Sequence, residues 1–366
     1  VQVAIVGLAR SGKTTVFNAL TRGEARTGGF GAVEVNTGVV KVPDERLTRL
    51  TALFQPRREV PADVTYVDLP GLGGAAEGEA HADIPADQLA RLRNADALLH
   101  VVRAFEDPSV PHPLIDIDPR RDLEQLELEL TLADLGVVER RLDKLRTAGR
   151  HGTAAERDAN EREEAVLASI EPALSAGRPV RDLGLDADAR MRIRGFRLLT
   201  EKPVLVLLNI GESEVARADA LGSSLAAGLP FGQTDVAALS ARIEMEIGQL
   251  EPAEAAAFRA EMGLAAPGLE RVIRASYALL GLISFFTAGP DETRAWTIAG
   301  GSSAVDAAGA IHSDLARGFI RAEVIGWQEL LELGSMAEAR RVGKLRSEGK
   351  AYVVQDGDVI EVLFNV

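Results

Sequence analysis

Apolar residues in this chain gather in short, nearly continuous runs, and the segments between several of them carry a helical period. "VQVAIVG", the first seven residues, is the kind of run that forms a parallel strand covered on both faces, and "GLARSGKTT" follows at once. Further strands are predicted at "VEVNTGVVKV", "DVTYVDLPG", "ADALLHVVRA", "PVLVLLN" and "DVAALSA". Strands alternating with helical patterns predict a doubly wound α/β domain, with strand, Gly-rich loop and helix at its start.

From Pro119 to Thr200 the composition shifts to Glu, Arg, Leu and Ala. Leu123, Leu126, Leu130, Leu135, Val138, Leu142 and Leu145 recur mostly at three- and four-residue steps, one apolar stripe on a long helix. The loop "RTAGRHGTAAE" then leads to a second helix ending near "EPALSAGRP", so an antiparallel helical hairpin is expected as an insertion. After the helical stretch "APGLERVIRASYALLGL", strand patterns return at "ISFFTAG", "RAWTIAG", "GFIRAEVIG" and "AYVVQDGDVIEVLFNV". The helix "SAVDAAGAIHSDLA", with Ser302 or Ser303 as N-cap, separates the second and third. A strand pair, a helix and further strands fit a small β-grasp domain. The expected division is 1–118 with 200–280 as the doubly wound α/β domain, 119–199 as the helical insertion and 281–366 as the β-grasp domain.

At 366 residues, with 46% hydrophobic and 26% charged, the chain has the composition of an ordinary globular protein of two or three domains. It has no cysteine, which excludes a disulfide framework and thiolate chemistry and fits a reducing cytoplasm; its five histidines show no metal-ligand spacing. No apolar run reaches the roughly 18 residues of a membrane span, so no membrane partner is expected. A net charge of −14 argues against wrapping nucleic acid with the whole surface, and no DNA partner is expected. One stretch departs from this balance. Arg140, Arg141, Lys144, Arg146, Arg150 and Arg157 face only Asp143 and Glu156, either a local RNA contact or a solvated hairpin tip.

The candidate chemistry begins at Gly7-Leu8-Ala9-Arg10-Ser11-Gly12-Lys13-Thr14, which satisfies G-x-x-x-x-G-K-[ST] between a strand and a helix. Such glycines let backbone N–H groups turn onto phosphate oxygens, and the helix N-terminus, with Thr15 in its first turn, adds its positive end. Lys13 is placed along the β- and γ-phosphates. Thr14 and Asp68, the latter closing "VTYVDLPG", are the expected Mg²⁺ residues, Asp68 through water. Where a guanine-binding protein carries Asn-Lys-x-Asp, this chain has Asn209-Ile210-Gly211-Glu212. In that motif the Asp carboxylate accepts from guanine N1–H and the 2-amino group, donors that adenine lacks, and the Lys stem packs on the nucleotide. Glu212 is one methylene longer and Ile210 supplies no Lys, so the bidentate clamp is lost or displaced. Asn209, Ile210 and Glu212 are candidate base-site residues, with Ser240 at the end of the next strand.

The sequence resembles the YchF-type ATPases of the Obg-related group of translation-factor GTPases, essentially end to end. The likeness rests on "NTGVVKVPDERL", "YVDLPGL", "ADALLHVVRAFED", "LELTLADL", the Asn-x-x-Glu ending, "PGLERVIRASYALLGLISFFTAG", "RAWTI", "AGAIHSDLARGFIRAEVI" and "GDVIEVLFNV". The resemblance implies a nucleotide domain, a coiled-coil insertion and a C-terminal TGS domain with the β-grasp fold. It further implies ATP preferred over GTP, slow hydrolysis, a cytoplasmic setting, and association with the ribosome and its RNA through the hairpin and TGS domain.

Four positions bear on activity. Leu72 stands where Ras-like proteins place the Gln that orients the attacking water, and it forms no hydrogen bond to water, so slow turnover is expected. Arg10 replaces the Asn usual in the family's phosphate loop, a position linked in related enzymes to potassium; it is a candidate internal arginine finger or a solvated loop residue. Ala32 falls, by likeness to the family, where a switch Thr would ligate Mg²⁺, while nearby Thr37 lies in the following strand pattern. His81 is a candidate base in the rewritten segment "GGAAEGEAHADIPADQL". Three readings follow: a slow Mg²⁺-dependent ATPase, a nucleotide-gated adaptor with negligible hydrolysis, and a diverged GTPase.

Overall fold

In the computed structural model the described residues are 1–23, 35–71, 84–114, 116–148, 153–229, 234–264 and 267–365. Leu72, Ala32, His81 and Arg150 lie outside them. The first part of the chain forms β1 (Gln2–Val6), α1 (Lys13–Thr21), β2 (Asn36–Lys41), α2 (Glu45–Phe54), β3 (Arg58–Val60) and β4 (Asp63–Asp68). It continues through α3 (Ala86–Asn94), β5 (Ala97–Ala104), α4 (Pro119–Ala148), α5 (Ala154–Ser175) and α6 (Ala187–Ile193). Then come β6 (Val204–Ile210), α7 (Ala218–Ala227), β7 (Asp235–Leu239), α8 (Ala241–Ile247), α9 (Pro252–Glu261) and α10 (Gly268–Leu279). The last stretch holds β8 (Leu282–Ala288), β9 (Glu292–Ala299), α11 (Ala304–Ile311), α12 (Ser313–Arg317) and β10 (Phe319–Gly326). It ends with α13 (Trp327–Leu333), α14 (Met336–Arg341), β11 (Arg346–Glu348) and β12 (Asp358–Phe364).

These residues divide into two units, Val1–Gly38 with Thr65–Val272, and Val39–Val64 with Ile273–Val366. The first is built on a six-stranded sheet in the order β2-β4-β1-β5-β6-β7, in which β4-β1-β5-β6-β7 pair in parallel. Every residue of β6 is buried, as are the first seven of β5, which is why both read as largely apolar runs rather than alternating ones, interrupted only by His100, Arg103 and Asn209.

The helical hairpin shares its core with this sheet. Leu123, Leu126 and Leu130 in the first turns of α4 pack with Leu98, Val102 and Val206 of the central strands. Val138, Leu142 and Leu145 further along pack instead with Leu167, Ile170 and Leu174 of α5. At 30 residues α4 is about 45 Å long. The insertion expected to start at residue 119 is therefore rooted, through the first three turns of α4, in the apolar layer under the sheet. Thr153 and Glu156 form a capping box that starts α5.

In the second unit a mixed sheet runs β11-β10-β12-β8-β9-β3. The sequence reading assigns residues 39–64 to the nucleotide domain, but here they belong with the C-terminal strands. β3 lies parallel to β9, and Arg46 of α2 bonds Asp356 at 2.7 Å and lies over the ring of Phe286. Ser303 caps α11 in a capping box with Asp306. The helix expected over "SAVDAAGAIHSDLA" is broken at His312, whose backbone is extended and whose ring Nδ1 accepts from the N–H of Asp314 to start α12. The short helices α13 and α14 and the strands β3 and β11 were not legible from the apolar pattern. Among the described residues no helix is long and apolar enough to cross a membrane.

Candidate nucleotide site

The loop between β1 and α1 is folded by its glycines. Gly7 has φ 149° and Gly12 φ 90°; a Cβ on Gly7 would lie 2.3 Å from the Val101 carbonyl oxygen, and one on Gly12 2.3 Å from Asn209 Nδ2. Gly12 is the N-cap of α1, no side chain caps that helix, and its first turn has no acidic residue. Its leading N–H groups, at Lys13, Thr14 and Thr15, thus keep their donor capacity for an anion. Leu8 is buried, and Ser11 Oγ is buried without a hydrogen-bond partner.

Lys13 is 6% exposed and its Nζ donates to the Leu8 carbonyl at 2.7 Å, inside the loop it closes. Burial lowers its pKa from 10.5 to about 8, partly offset by the charge of Asp68. Thr14 Oγ1 donates to Asp68 Oδ2 at 2.8 Å, and Asn36 Nδ2 reaches the same oxygen at 3.5 Å. Asp68 Oδ1 is buried with no partner, and burial raises this carboxyl's pKa despite Thr14, Lys13 and Asn36. A threonine hydroxyl and an under-compensated carboxylate are hard oxygen donors, so the pair fits a small divalent cation such as Mg²⁺, which takes few protein ligands beside phosphate and water. Among the described residues no group of three or more His, Cys, Asp or Glu offers an all-protein metal site.

Arg10 is placed otherwise than an arginine finger requires. Its backbone is left-handed (φ 63°), and its Nη1 donates to the Pro111 carbonyl at 3.0 Å, in the loop that follows β5. Arg103, at the end of β5 and 2% exposed, holds the same loop, donating to the carbonyls of Phe105 (3.1 Å) and Val110 (2.8 Å) with its guanidinium 4.4 Å from the Phe105 ring centroid. A lone Arg in the apolar run "ALLHVVRA" was the available signal for this brace, and Asn36 lay unassigned in a family motif.

At the other end, Asn209 is a cross-brace. Its Nδ2 donates to the Ser11 carbonyl at 3.1 Å and its Oδ1 accepts from the Ala241 N–H at 3.0 Å, tying the phosphate loop to the start of α8. Ile210 is 2% exposed and packs in the core under the sheet, so it lines no base site with its side chain. Glu212 is solvent-facing and paired with Arg242 Nε at 3.2 Å; Arg242 also meets Glu246 at 3.3 Å. Ser240 is buried, and its side chain does not cap α8. Behind it, Glu244 Oε1 accepts from the Gly268 N–H at 2.8 Å, capping α10.

Comparison with known proteins bears on both ends of the chain. Residues 2–133 match the family described as 50S ribosome-binding GTPase, and residues 282–365 match the YchF-GTPase C-terminal family, described as a protein of unknown function. The chain is 41% identical over 369 residues to the ribosome-binding ATPase YchF of Bacillus subtilis, covering 99% of this chain and 98% of the relative. It is 40% identical to the protein of that name from Escherichia coli O157:H7, with the same coverage. The solved structure of the Schizosaccharomyces pombe YchF GTPase superposes with a TM-score of 0.86 at 30% identity, covering 99% of this chain and 97% of that one.

Proposed function

The chain belongs to the YchF family, and from that premise we propose that it is a slow, Mg²⁺-dependent nucleoside triphosphatase that prefers ATP and acts on the ribosome in the cytoplasm. The observation that carries the reading is the set of buried Lys13 and Asp68 with part-buried Thr14 at the uncapped N-terminus of α1. Together they offer one cation, a row of N–H donors and two hard oxygens, the needs of a triphosphate. Thr14 and Asp68 would hold Mg²⁺, which when bound offsets negative charge on the phosphate oxygens. Lys13 would exchange the Leu8 carbonyl for phosphate oxygens, and the glycines would keep the loop's N–H groups turned inward. Water is the nucleophile, and the protein contributes position and electrostatics.

Base preference rests on the pair of Glu212 and Arg242. A carboxylate already engaged by a guanidinium is a poor match for two guanine donors, and ATP is the expected ligand. Calorimetric titration of the nucleotide-free protein with non-hydrolysable ATP and GTP analogues, each with Mg²⁺, tests this directly. Tighter ATP binding supports the reading, and tighter GTP binding makes the protein a diverged GTPase. The adaptor reading is favoured by one observation, the attachment of Arg10 to the Pro111 carbonyl, which leaves the phosphate loop without an inward-turned arginine. Single-turnover ATP hydrolysis with and without ribosomes separates the two.

A further inference from the structure

The hairpin tip looked basic in the sequence, and the fold removes much of that character. Arg141 is paired with Glu163 at 2.6 Å, and Arg146 lies 3.8 Å from both Glu164 and Glu171 on the facing helix α5. Arg157 shares the first turns of α5 with Glu156, Asp158 and Glu161. A polyanion approaching this end meets both signs.

The base of the hairpin is different. From Asp188 to Arg197 four arginines face one acid, in a protein of net charge −14. Ile193 is fully buried and Phe196 packs on the same hairpin core, which fixes the inward side of this segment and turns Arg190, Arg194 and Arg197 outward, all three exposed. Arg190 and Arg194 are four residues apart with helical backbone between them, so they share a face. A turn closed by the Arg197 N–H on the Arg194 carbonyl then brings Arg197 alongside. Arg197 holds a left-handed backbone (φ 49°), and its guanidinium bonds Asn94 Oδ1 at the end of α3. That bond joins a fourth exposed arginine to the group, since Arg91 lies one turn back from Asn94 on the same face of α3. Only Arg192 of the segment is neutralised, by Asp188 at 2.8 Å. Among the described residues Arg194 and Arg91 have no side-chain hydrogen bond or ion pair, and Arg190 donates only its Nε, to the Leu185 carbonyl. Met191, 71% exposed, stands among them.

We propose that Arg91, Arg190, Arg194 and Arg197 form a docking surface for the phosphate backbone of RNA at the root of the hairpin. Guanidinium forks match phosphate oxygens in pairs, and although Asp87, Asp186 and Glu201 lie nearby, none of the four arginines is held in an ion pair with them among the described residues, so their charge stays available to phosphate. An exposed Met amid arginines adds apolar contact of the kind found at interfaces rather than on idle surface. The proposal rests on the ribosome-binding reading and assigns it a surface.

The test uses the full chain, with ribosomes and with deproteinised ribosomal RNA as separate probes, across a series of KCl concentrations. The patch variant is R91Q/R190Q/R194Q, which leaves the Arg197–Asn94 bond intact; R91K/R190K/R194K keeps the charge, and R140Q/K144Q/R157Q alters the tip. Binding of an ATP analogue and thermal melting verify that each variant is folded. The patch variant is expected to bind both probes at least about tenfold more weakly, with a salt slope lower by about two to three. The Lys variant is expected to keep most of the affinity, and the tip variant to lose less than the patch variant. Unchanged binding of the patch variant to both probes overturns the proposal and leaves ribosome binding by another surface. Loss on ribosomes with unchanged RNA binding also overturns it, pointing to a ribosomal protein. Patch-dependent binding to RNA by a protein that does not sediment with ribosomes upholds the surface and removes the ribosomal reading. Absence of wild-type binding to either probe overturns both.

Discussion

The two ends of the candidate nucleotide site are built by opposite means. At the phosphate end, Lys13, Ser11 and Asp68 are buried, the glycines are held by close approach, and the donors are largely backbone. At the proposed base end, Glu212 and Arg242 face solvent, and the buried Asn209 is spent on bracing two loops. Burial makes the first end strong and intolerant, because a buried charge without a partner is costly. Exposure makes the second weak and adjustable, because surface ion pairs contribute about 0–1 kcal/mol. Binding strength should therefore come from one end and selectivity from the other.

The largest effect that would break this contrast is expected at Lys13. Lys13→Ala should weaken binding of an ATP analogue by about 100-fold, or ~3 kcal/mol, the upper range for hydrogen bonds to charged groups. The same change should leave the nucleotide-free protein no less stable, since it removes a buried cation whose pKa is already lowered to about 8. Burial sets the sign of the pH dependence. The unfolded chain holds the Lys13 proton up to about 10.5 and the folded chain only to about 8, so this residue's contribution to stability rises with pH across that window. Nucleotide favours the charged form, so ATP-analogue affinity should fall as pH rises above about 8, with proton uptake measurable by calorimetry in buffers of different ionisation enthalpy. A pH-independent affinity from 7 to 9 would show that Lys13 is not the group in question.

Asn209→Ala is the next effect in size, because it damages both ends at once. It strands the Ser11 carbonyl and the Ala241 N–H, a loss of about 2 kcal/mol in stability, read as a lower melting temperature. ATP and GTP analogues should lose affinity alike. If only one of them weakens, Asn209 touches the base and is more than a brace. Asp68→Asn is smaller still. It should reduce analogue binding about tenfold in Mg²⁺ while changing little in EDTA, because the under-compensated carboxylate matters chiefly through the cation.

The same contrast explains what could be read in advance. The turn of the candidate phosphate loop was legible because its residues are consecutive in sequence: the motif fixes the turn, and the turn fixes where its N–H groups lie. The long helix α4 was legible from its leucines, though not that its first three turns belong to the core beneath the sheet, since one stripe serves two different partners. Residues 39–64 carried no local sign that α2 and β3 belong with strands more than 200 residues later, a pairing made by β3 with β9 and by Arg46 with Asp356. Arg10 illustrates the same limit within one residue. Its type suggested a role on phosphate, whereas its bond to Pro111 depends on a loop 101 positions away. The tip and root of the hairpin differ for that reason too, because the acids that neutralise Arg141 and Arg146 come from the facing helix.

The smallest expected effect sharpens the comparison most. Glu212→Ala and Arg242→Ala should each change stability by less than about 0.5 kcal/mol, as exposed pairs do, with no change in melting beyond a degree or two. Their effect on selectivity should be unequal. Removing Arg242 frees the Glu212 carboxylate to accept guanine donors, so GTP-analogue affinity should rise by a few-fold while ATP-analogue affinity stays within a factor of two. Removing Glu212 takes away the acceptor, so GTP-analogue affinity should fall or stay flat. Competition binding with both nucleotides on the two variants gives the ratio directly. Equal ratios in the two variants would mean that the Glu212–Arg242 pair is only surface charge, and that selection lies with the backbone around Gly211. Opposite shifts would place base choice in a single exposed ion pair, weak enough to alter without disturbing the buried phosphate end.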